Sequence, residues 1–122
     1  MTEPSDPRLE RLSAICLELP EAKRETSGRH ATFRVRGRTF AYFLDDHHGD
    51  GIVGLTAKAP PGVAERLVEE DPALFYRPAY LGHRGWVGRR LDLDDTDWDE
   101  VTGLVVESYR LCAPKSLARS IA

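Results

Sequence analysis

The sequence lacks the features that define most specialised classes of protein. No apolar run approaches the roughly 18 residues needed to span a bilayer, so we expect neither a transmembrane segment nor a membrane partner. Only two cysteines, Cys16 and Cys112, occur in 122 residues, fewer than a small disulfide-stapled secreted domain carries. The start has neither the basic region nor the apolar stretch of a secretory signal. We therefore predict a cytoplasmic protein with reduced thiols and a single domain over residues 1–122.

Familiar catalytic and nucleotide-binding motifs are missing as well. The sequence has no G-x-S-x-G turn, no phosphate-binding P-loop and no dinucleotide fingerprint. Cys112 lies at the end of a predicted helix, where the helix dipole disfavours a thiolate, so it is a poor nucleophile. We predict a protein that is not an enzyme, with no catalytic residues and no cofactor.

Two segments carry potential metal ligands, but neither has the pattern of a functional site. "DDHHGD" gathers Asp45, Asp46, His47, His48 and Asp50, and adjacent histidines on a loop bind zinc or nickel only weakly. "DLDDTDWDE" lacks the glycine and the twelfth-position glutamate of a calcium loop. Its acidic residues fit the first turn of a helix, where the dipole favours them. We predict no metal site.

The sequence does contain clear helical periodicity at both ends. Apolar spacings of three and four predict an N-terminal helix with Asp6 as its cap and Pro7 in its first turn. The same spacing predicts a long helix near the C-terminus, capped by Asp94 or Asp95 and ended by Pro114. The tail "SLARSIA" is expected to pack loosely or fray. The shared core is predicted to contain Leu12, Ile15, Leu19, Trp98, Val101, Val105 and Leu111.

Strand-like alternation occupies the middle of the chain. "ATFRVRGRTFAYFL" predicts a hairpin with Arg36 and Gly37 at its turn, and Phe40, Tyr42 and Leu44 on one side of the second strand. "EAKRETSGRH" is interpreted as a connection. A strand in "IVGLTAK", a short helix in "APPGVAERLVEEDP", an irregular "ALFYRPAYLG" and a strand in "RGWVGRRLDL" follow. This order predicts an α+β fold, an antiparallel sheet with the N- and C-terminal helices packed on one face.

The basic residues are concentrated in two segments of a chain whose net charge is −3. Arginine bonds phosphates in pairs through its planar fork, and an aromatic ring can stack on a base or a flat ligand. Arginines on a solvated sheet face would instead keep a strand edge soluble. The two segments contribute Lys23, Arg24, Arg29, Arg34, Arg36 and Arg38 from "KRETSGRHATFRVRGR", and Arg84, Arg89 and Arg90 around Trp86 from "YLGHRGWVGRR".

The chain resembles the MmcQ/YjbR family of small bacterial proteins over nearly its whole length. The resemblance is carried by "LELPEAKRETSGRHATFRVRGRTFAYF", "KAPPGVAERLVEED", "PAYLGHRGWVGRRLD" and "VVESYRLCAPKSL". It implies a CyaY-like fold. Members are commonly labelled DNA-binding on the strength of a proposed double-wing arrangement, and one founding member is associated with a mitomycin gene cluster, which hints at drug binding. The resemblance supplies no catalytic motif.

Two functional hypotheses follow. In the leading one, DNA phosphates bind to Arg34, Arg36 and Arg38 of the hairpin and to Arg84, Arg89 and Arg90 of the later strand, with Trp86 as the aromatic contact. In the alternative, a small aromatic ligand binds on the sheet face, in a pocket formed by Tyr42, Tyr80, His83, Arg84 and Trp86. A protein-interaction surface on the same residues is a third possibility, and no oligomeric state is predicted. A shared arginine surface would favour DNA, whereas a tryptophan lining a concavity with few charges would favour a ligand.

Overall fold

The fold is an antiparallel sheet with helices, seen in a computed structural model that describes residues 6–46, 49–79 and 81–121, without the side chain of His83. A short 3₁₀ helix, Gly82–Arg84, precedes the last strand. Within the described segments, no helix has both the length and the apolarity needed to cross a membrane. The elements of these segments are α1 (Pro7–Leu17), β1 (Ala22–Ser27), β2 (His30–Val35), β3 (Arg38–Asp45), β4 (Val53–Lys58), α2 (Val63–Glu70), β5 (Phe75–Tyr76), β6 (Trp86–Arg90), α3 (Trp98–Cys112) and α4 (Lys115–Ser120).

The strands form one sheet in the order β1-β2-β3-β4-β6-β5, and every neighbouring pair is antiparallel. Helix α3 packs across the two central strands, β3 and β4, and α1 packs beside it against β1 and β3. Helix α2 packs against β5 and β6 at the other end of the sheet. The predicted α+β class is therefore confirmed, with the N-terminal and the long C-terminal helix on one face.

The first hairpin differs from the prediction, because "EAKRETSGRH" contains strand β1 rather than a connection. Ser27 pairs with His30, and Gly28 adopts a φ of 59° in the two-residue turn between them. Most β1 side chains are exposed, so this edge strand has no apolar alternation to reveal it. The predicted turn at Arg36 and Gly37, between β2 and β3, is confirmed. Their φ values are 49° and 78°, and two-residue hairpin turns of the primed type require positive φ at both positions.

Strand β3 does not alternate regularly, so the predicted grouping of Phe40 with Tyr42 and Leu44 is wrong. An irregularity in the β2–β3 register turns Phe40 towards the helices. Its ring meets Tyr109 edge-on, with centroids 5.3 Å apart. Phe40 and Phe43 are both fully buried in the core, whereas Tyr42 and Leu44 face the other side of the sheet.

The long C-terminal helix starts two or three residues later than predicted, and it buries Tyr109 rather than Leu111. Asp97, rather than Asp94 or Asp95, caps α3, and its Oδ1 accepts the backbone N–H groups of the next helical residues. Tyr109 is fully buried, whereas Leu111 is 39% exposed and was wrongly placed in the core. The buried positions of α3 are Val101, Val105, Ser108 and Tyr109.

The first and last described segments of the chain are both helical. Asp6 caps α1 as predicted, accepting the N–H of Arg8 at 2.9 Å. The tail expected to fray forms α4, and Leu117 and Ile121 pack against the core. Of the remaining predicted core residues, Leu12, Val101 and Val105 are fully buried, and Ile15, Leu19 and Trp98 pack half-buried at its margin.

Truncation of α3 should distinguish its inner side from its outer side. Val105→Ala removes two methyl groups from a fully buried site and should lower the free energy of unfolding by about 1–3 kcal/mol. Leu111→Ala, on the exposed side of the same helix, should cost about 0.5 kcal/mol or less. Urea unfolding of both variants measures the difference. Equal losses would contradict the orientation of α3.

The two cysteines should react slowly in the folded state. Cys16 and Cys112 are free thiols, and burial raises the pKa of both, so little thiolate forms. Alkylation of the native protein at neutral pH, followed by mass spectrometry, should show little labelling. Unfolding without reductant should then add two labels. Labelling that requires a reductant would reveal a disulfide and contradict this description.

Candidate ligand-binding site

The sheet face opposite α1 and α3, which we call the open face, carries a row of aligned residues across four strands. Tyr42 of β3 pairs with Thr56 of β4, Thr56 pairs with Gly88 of β6, and Gly88 pairs with Tyr76 of β5. Trp86 lies two residues before Gly88 on the same face. This row has one tyrosine at each end, with a threonine and a glycine between them.

Two glycines allow the Tyr76 ring to lie flat on the sheet. A Cβ atom at Gly88 would overlap the ring, and one at Gly54 would lie 2.5 Å from the Tyr76 hydroxyl. The ring therefore extends from β5 across β6 until its hydroxyl is above β4. Glycine inside a strand is otherwise unfavourable, and here it is explained by this close approach.

A pocket of about 580 Å³ opens beside the Tyr76 ring. We call it the open-face pocket. Its floor is formed by the sheet residues Tyr42, Leu44, Thr56 and Tyr76. Its walls come from the loops that follow β3 and β5, through Asp50, Ile52, Arg77, Pro78, Ala79 and Leu81. The lining is mainly apolar, with hydroxyl groups at the floor and charged groups at the rim.

Thr56 is the buried polar group of this floor. It is 1% exposed, and among the described residues its Oγ1 has no hydrogen-bond partner of good geometry. The Tyr76 hydroxyl is close enough to Thr56 for that side chain to offset part of a rise in its pKa, which burial causes. Tyr76 is therefore a neutral phenol at physiological pH. A buried hydroxyl without a well-formed hydrogen bond is costly, and the nearby Tyr76 hydroxyl is the group that offsets part of this cost.

Trp86 belongs to the margin of the site rather than to an exposed surface. It is 9% exposed, and its ring lies 5.7 Å from that of Tyr42 at an angle of 52°. On its other side it borders a smaller cavity of about 240 Å³, with Glu65 and Glu69 of α2. Of the residues predicted to form a ligand pocket, Tyr42 lines the open-face pocket, and Trp86 contacts its ring without belonging to the lining. Little of the Trp86 ring is available to stack on a base.

Arg77 lines both cavities and lies between them. A Cβ atom at Gly82 would overlap the Cγ of Arg77, so this glycine makes room for the aliphatic part of the side chain. Among the described residues, no carboxylate lies within ion-pair distance of its guanidinium. Within the described part of the chain, Arg77 is therefore a positive charge without an ion-pair partner at the edge of an apolar pocket.

The hairpin arginines are bonded within the protein. Arg34 donates to both carboxylate oxygens of Glu25, at 2.9 and 3.0 Å. Arg36 forms a two-point ion pair with Glu21, whose pKa it lowers. Arg38 donates to the Cys112 carbonyl at 3.3 Å.

The later arginines point in different directions. Arg89 requires a correction, because it faces the helices with its side chain 3% exposed, pairs with Glu100 at 2.7 Å and cannot contact a phosphate. Arg90 faces the other way and pairs with Asp92, whose pKa it lowers. Arg84 is exposed on the 3₁₀ helix.

These arginines do not form one continuous surface. Arg36 and Arg38 lie at the β2–β3 turn, whereas Arg90 pairs with Gly54, which pairs with Leu44 near the far end of β3. Leu44 is six residues beyond Arg38, about 20 Å along the strand. A DNA contact cannot include Arg89, and one that combined Arg90 with Arg36 and Arg38 would need two separate surfaces.

Several predicted residues lie outside the described part of the chain. They are Tyr80, the side chain of His83, and the potential metal ligands His47 and His48. Within residues 6–46, 49–79 and 81–121, no group of three or more His, Cys, Asp or Glu side chains is placed to hold a metal ion.

Sequence reasoning missed Thr56, Tyr76 and Arg77, which supply the polar groups of the open-face pocket. The available signal was glycine within predicted strands, at Gly54 and Gly88, which indicates a close approach by another group. That signal does not identify the approaching side chain, since the pairing of β4 with β6 is not readable from the sequence.

Comparisons with known proteins agree with this architecture. A family model described as YjbR matches residues 17–111. Among solved structures, the chain is similar to the crystal structure of Deinococcus radiodurans protein DR2400, described with the family-model domain DUF419. The two are 23% identical, the alignment covers 88% of this chain and 81% of that one, and the TM-score is 0.69. No curated protein matches the chain.

Replacing the unpartnered hydroxyl should not destabilise the free protein. Thr56→Val keeps the shape and removes the buried Oγ1, so the free energy of unfolding should stay unchanged or rise by up to about 1 kcal/mol. Thermal or urea unfolding without any added ligand measures the effect. A loss of more than about 1 kcal/mol would show that the hydroxyl is bonded in the folded protein.

Proposed function

This chain belongs to the YjbR family, and we propose that it binds a flat, mainly apolar small molecule in the open-face pocket. The observation that carries the proposal is a roomy, mainly apolar pocket on the open face, lined by two tyrosine rings and a few polar groups. Catalysis forms no part of this proposal, in keeping with the missing catalytic motifs.

The pocket has the properties expected of a small-molecule site. Its volume of about 580 Å³ lies within the range of roughly 300–1,000 Å³ that such sites occupy. Apolar groups dominate the lining, and a few polar groups converge on one region, which is the arrangement that gives affinity and orientation together. The floor belongs to central strands held from behind by α3, so binding requires little reorganisation there.

The shape of the floor favours a flat ligand. The Tyr76 ring lies against the sheet over Gly88 instead of standing upright, and the Tyr42 ring leans against Trp86. A planar molecule between these rings would contact aromatic surfaces at its ends and Thr56 beneath it. A bulky molecule would make fewer of these contacts.

DNA binding stays a prediction, supported by the family resemblance. The described geometry gives it less support than the pocket receives. Arg34 and Arg36 are already paired with glutamates, Arg89 is buried, and Trp86 is 9% exposed. Phosphate binding would require each paired arginine to exchange a carboxylate for a phosphate, which reduces the net gain.

A neutral fluorescent probe tests the pocket directly. N-phenyl-1-naphthylamine, a flat and uncharged dye, should bind saturably with enhanced emission. Leu44→Lys places a charge in the lining and should weaken binding about tenfold or more, because desolvating an amine opposes an apolar ligand. Leu93→Lys makes the same change at an exposed leucine outside the lining residues and should leave binding unchanged. Absence of saturable binding to the wild-type protein would overturn the proposal.

The same preparation tests the DNA hypothesis. If duplex DNA binds, its affinity should fall with salt, by a slope of about −0.9 per phosphate contact. Arg36→Ala combined with Arg38→Ala should then flatten the slope by about two. Salt-dependent DNA binding by a protein that does not bind the dye would replace the ligand proposal with nucleic-acid binding.

A further inference from the structure

The charges at the rim of the open-face pocket indicate what kind of ligand it takes. We propose, resting on the function proposed above, that the ligand is a flat aromatic molecule with one carboxylate, which Arg77 binds at the end of the pocket nearest Trp86.

Arg77 has the position and the availability that this role requires. Arg77 lines both the open-face pocket and the smaller cavity beside Trp86, and the stem of its side chain lies over Gly82. Arg34, Arg36 and Arg90 are each saturated by a neighbouring carboxylate. Arg77 has no such partner among the described residues, so its fork of N–H donors is available for a planar anion.

The acidic groups near the pocket set the orientation of the ligand. Asp50 lies at the opposite end, where its Oδ1 accepts the N–H of Ile52 at 2.9 Å, and its charge disfavours an anion there. Glu65 and Glu69 line the smaller cavity beside Arg77 without reaching ion-pair distance. They weaken the positive potential around Arg77, so we expect the ligand to carry one carboxylate and not several.

The volume of the open-face pocket, about 580 Å³, sets the upper size of the ligand. Two fused aromatic rings with a carboxylate fit within this volume. The side chain of Thr56 belongs to the floor on which the rings would lie.

Three matched compounds separate charge from shape: 2-naphthoate, 2-naphthamide and 2-naphthylmethylamine. Each is titrated against the bound N-phenyl-1-naphthylamine dye. The naphthoate should displace the dye about three- to tenfold more effectively than the amide, as expected for a charge-assisted contact that is partly exposed. The amine should bind more weakly than either.

Substitution at Arg77 should abolish this preference selectively. Arg77→Gln should reduce naphthoate affinity to the level of the amide and leave the amide itself unchanged. Arg77→Glu should make the amine the preferred compound. Arg66→Gln, at an exposed arginine on α2 that is outside the lining residues, is the matched control and should change none of the three.

The outcomes distinguish the two proposals. If no naphthalene compound displaces the dye and the dye itself does not bind, the proposed function fails. If all three displace it equally, and Arg77→Gln changes none of them, the pocket function stands and the carboxylate inference is overturned. If Arg66→Gln removes the preference as Arg77→Gln does, general surface charge explains it and the inference is also overturned.

Discussion

A buried serine hydroxyl bonds helix α3 directly to the two central strands of the sheet. The Oγ of Ser108, on α3, lies between β3 and β4. It donates a hydrogen bond to the Phe40 carbonyl at 2.6 Å and accepts one from the Lys58 N–H at 2.9 Å. These backbone groups are the next ones along the β3–β4 ladder after Ala41 pairs with Ala57. The helix therefore completes a hydrogen-bond position that the two strands leave open, and its place over the central strands is fixed by bonding as well as by packing.

The two faces of the sheet are stabilised in different ways as a result. The covered face is an ordinary apolar core, because α1 and α3 bury its side chains almost completely. The open face is covered only in part, and it uses the Tyr76 ring, laid over Gly54 and Gly88, together with the loop that follows. A ring and a loop cover less surface than a helix does. The uncovered remainder, around Thr56, is the open-face pocket.

The elements that could be predicted are those whose own periodicity is strong. Both terminal helices and the Arg36–Gly37 hairpin follow from local spacing and turn chemistry. Strand β1 could not be recognised because an exposed edge strand has no buried side to produce alternation. The inward direction of Arg89 was readable in principle, because it lies at alternate spacing between the apolar residues Val87 and Leu91, which are both buried. The charge of Arg89 argued for an exposed position, because an arginine is buried only with a partner, and the partner Glu100 is not evident from the sequence.

The candidate site was less predictable because it depends on strand order and on pairing between distant charges. Counting arginines identifies positive charge, but Arg36 meets Glu21 across fifteen positions of sequence, so most of that charge is neutralised locally. The charge that matters for binding is what remains after such pairing, and at the pocket rim that is Arg77. Tyr76 likewise reaches Gly54 only because β6 lies between β4 and β5. A net charge of −3 is therefore compatible with an anion site, since one unpaired arginine beside an apolar wall determines the local potential more than the total does.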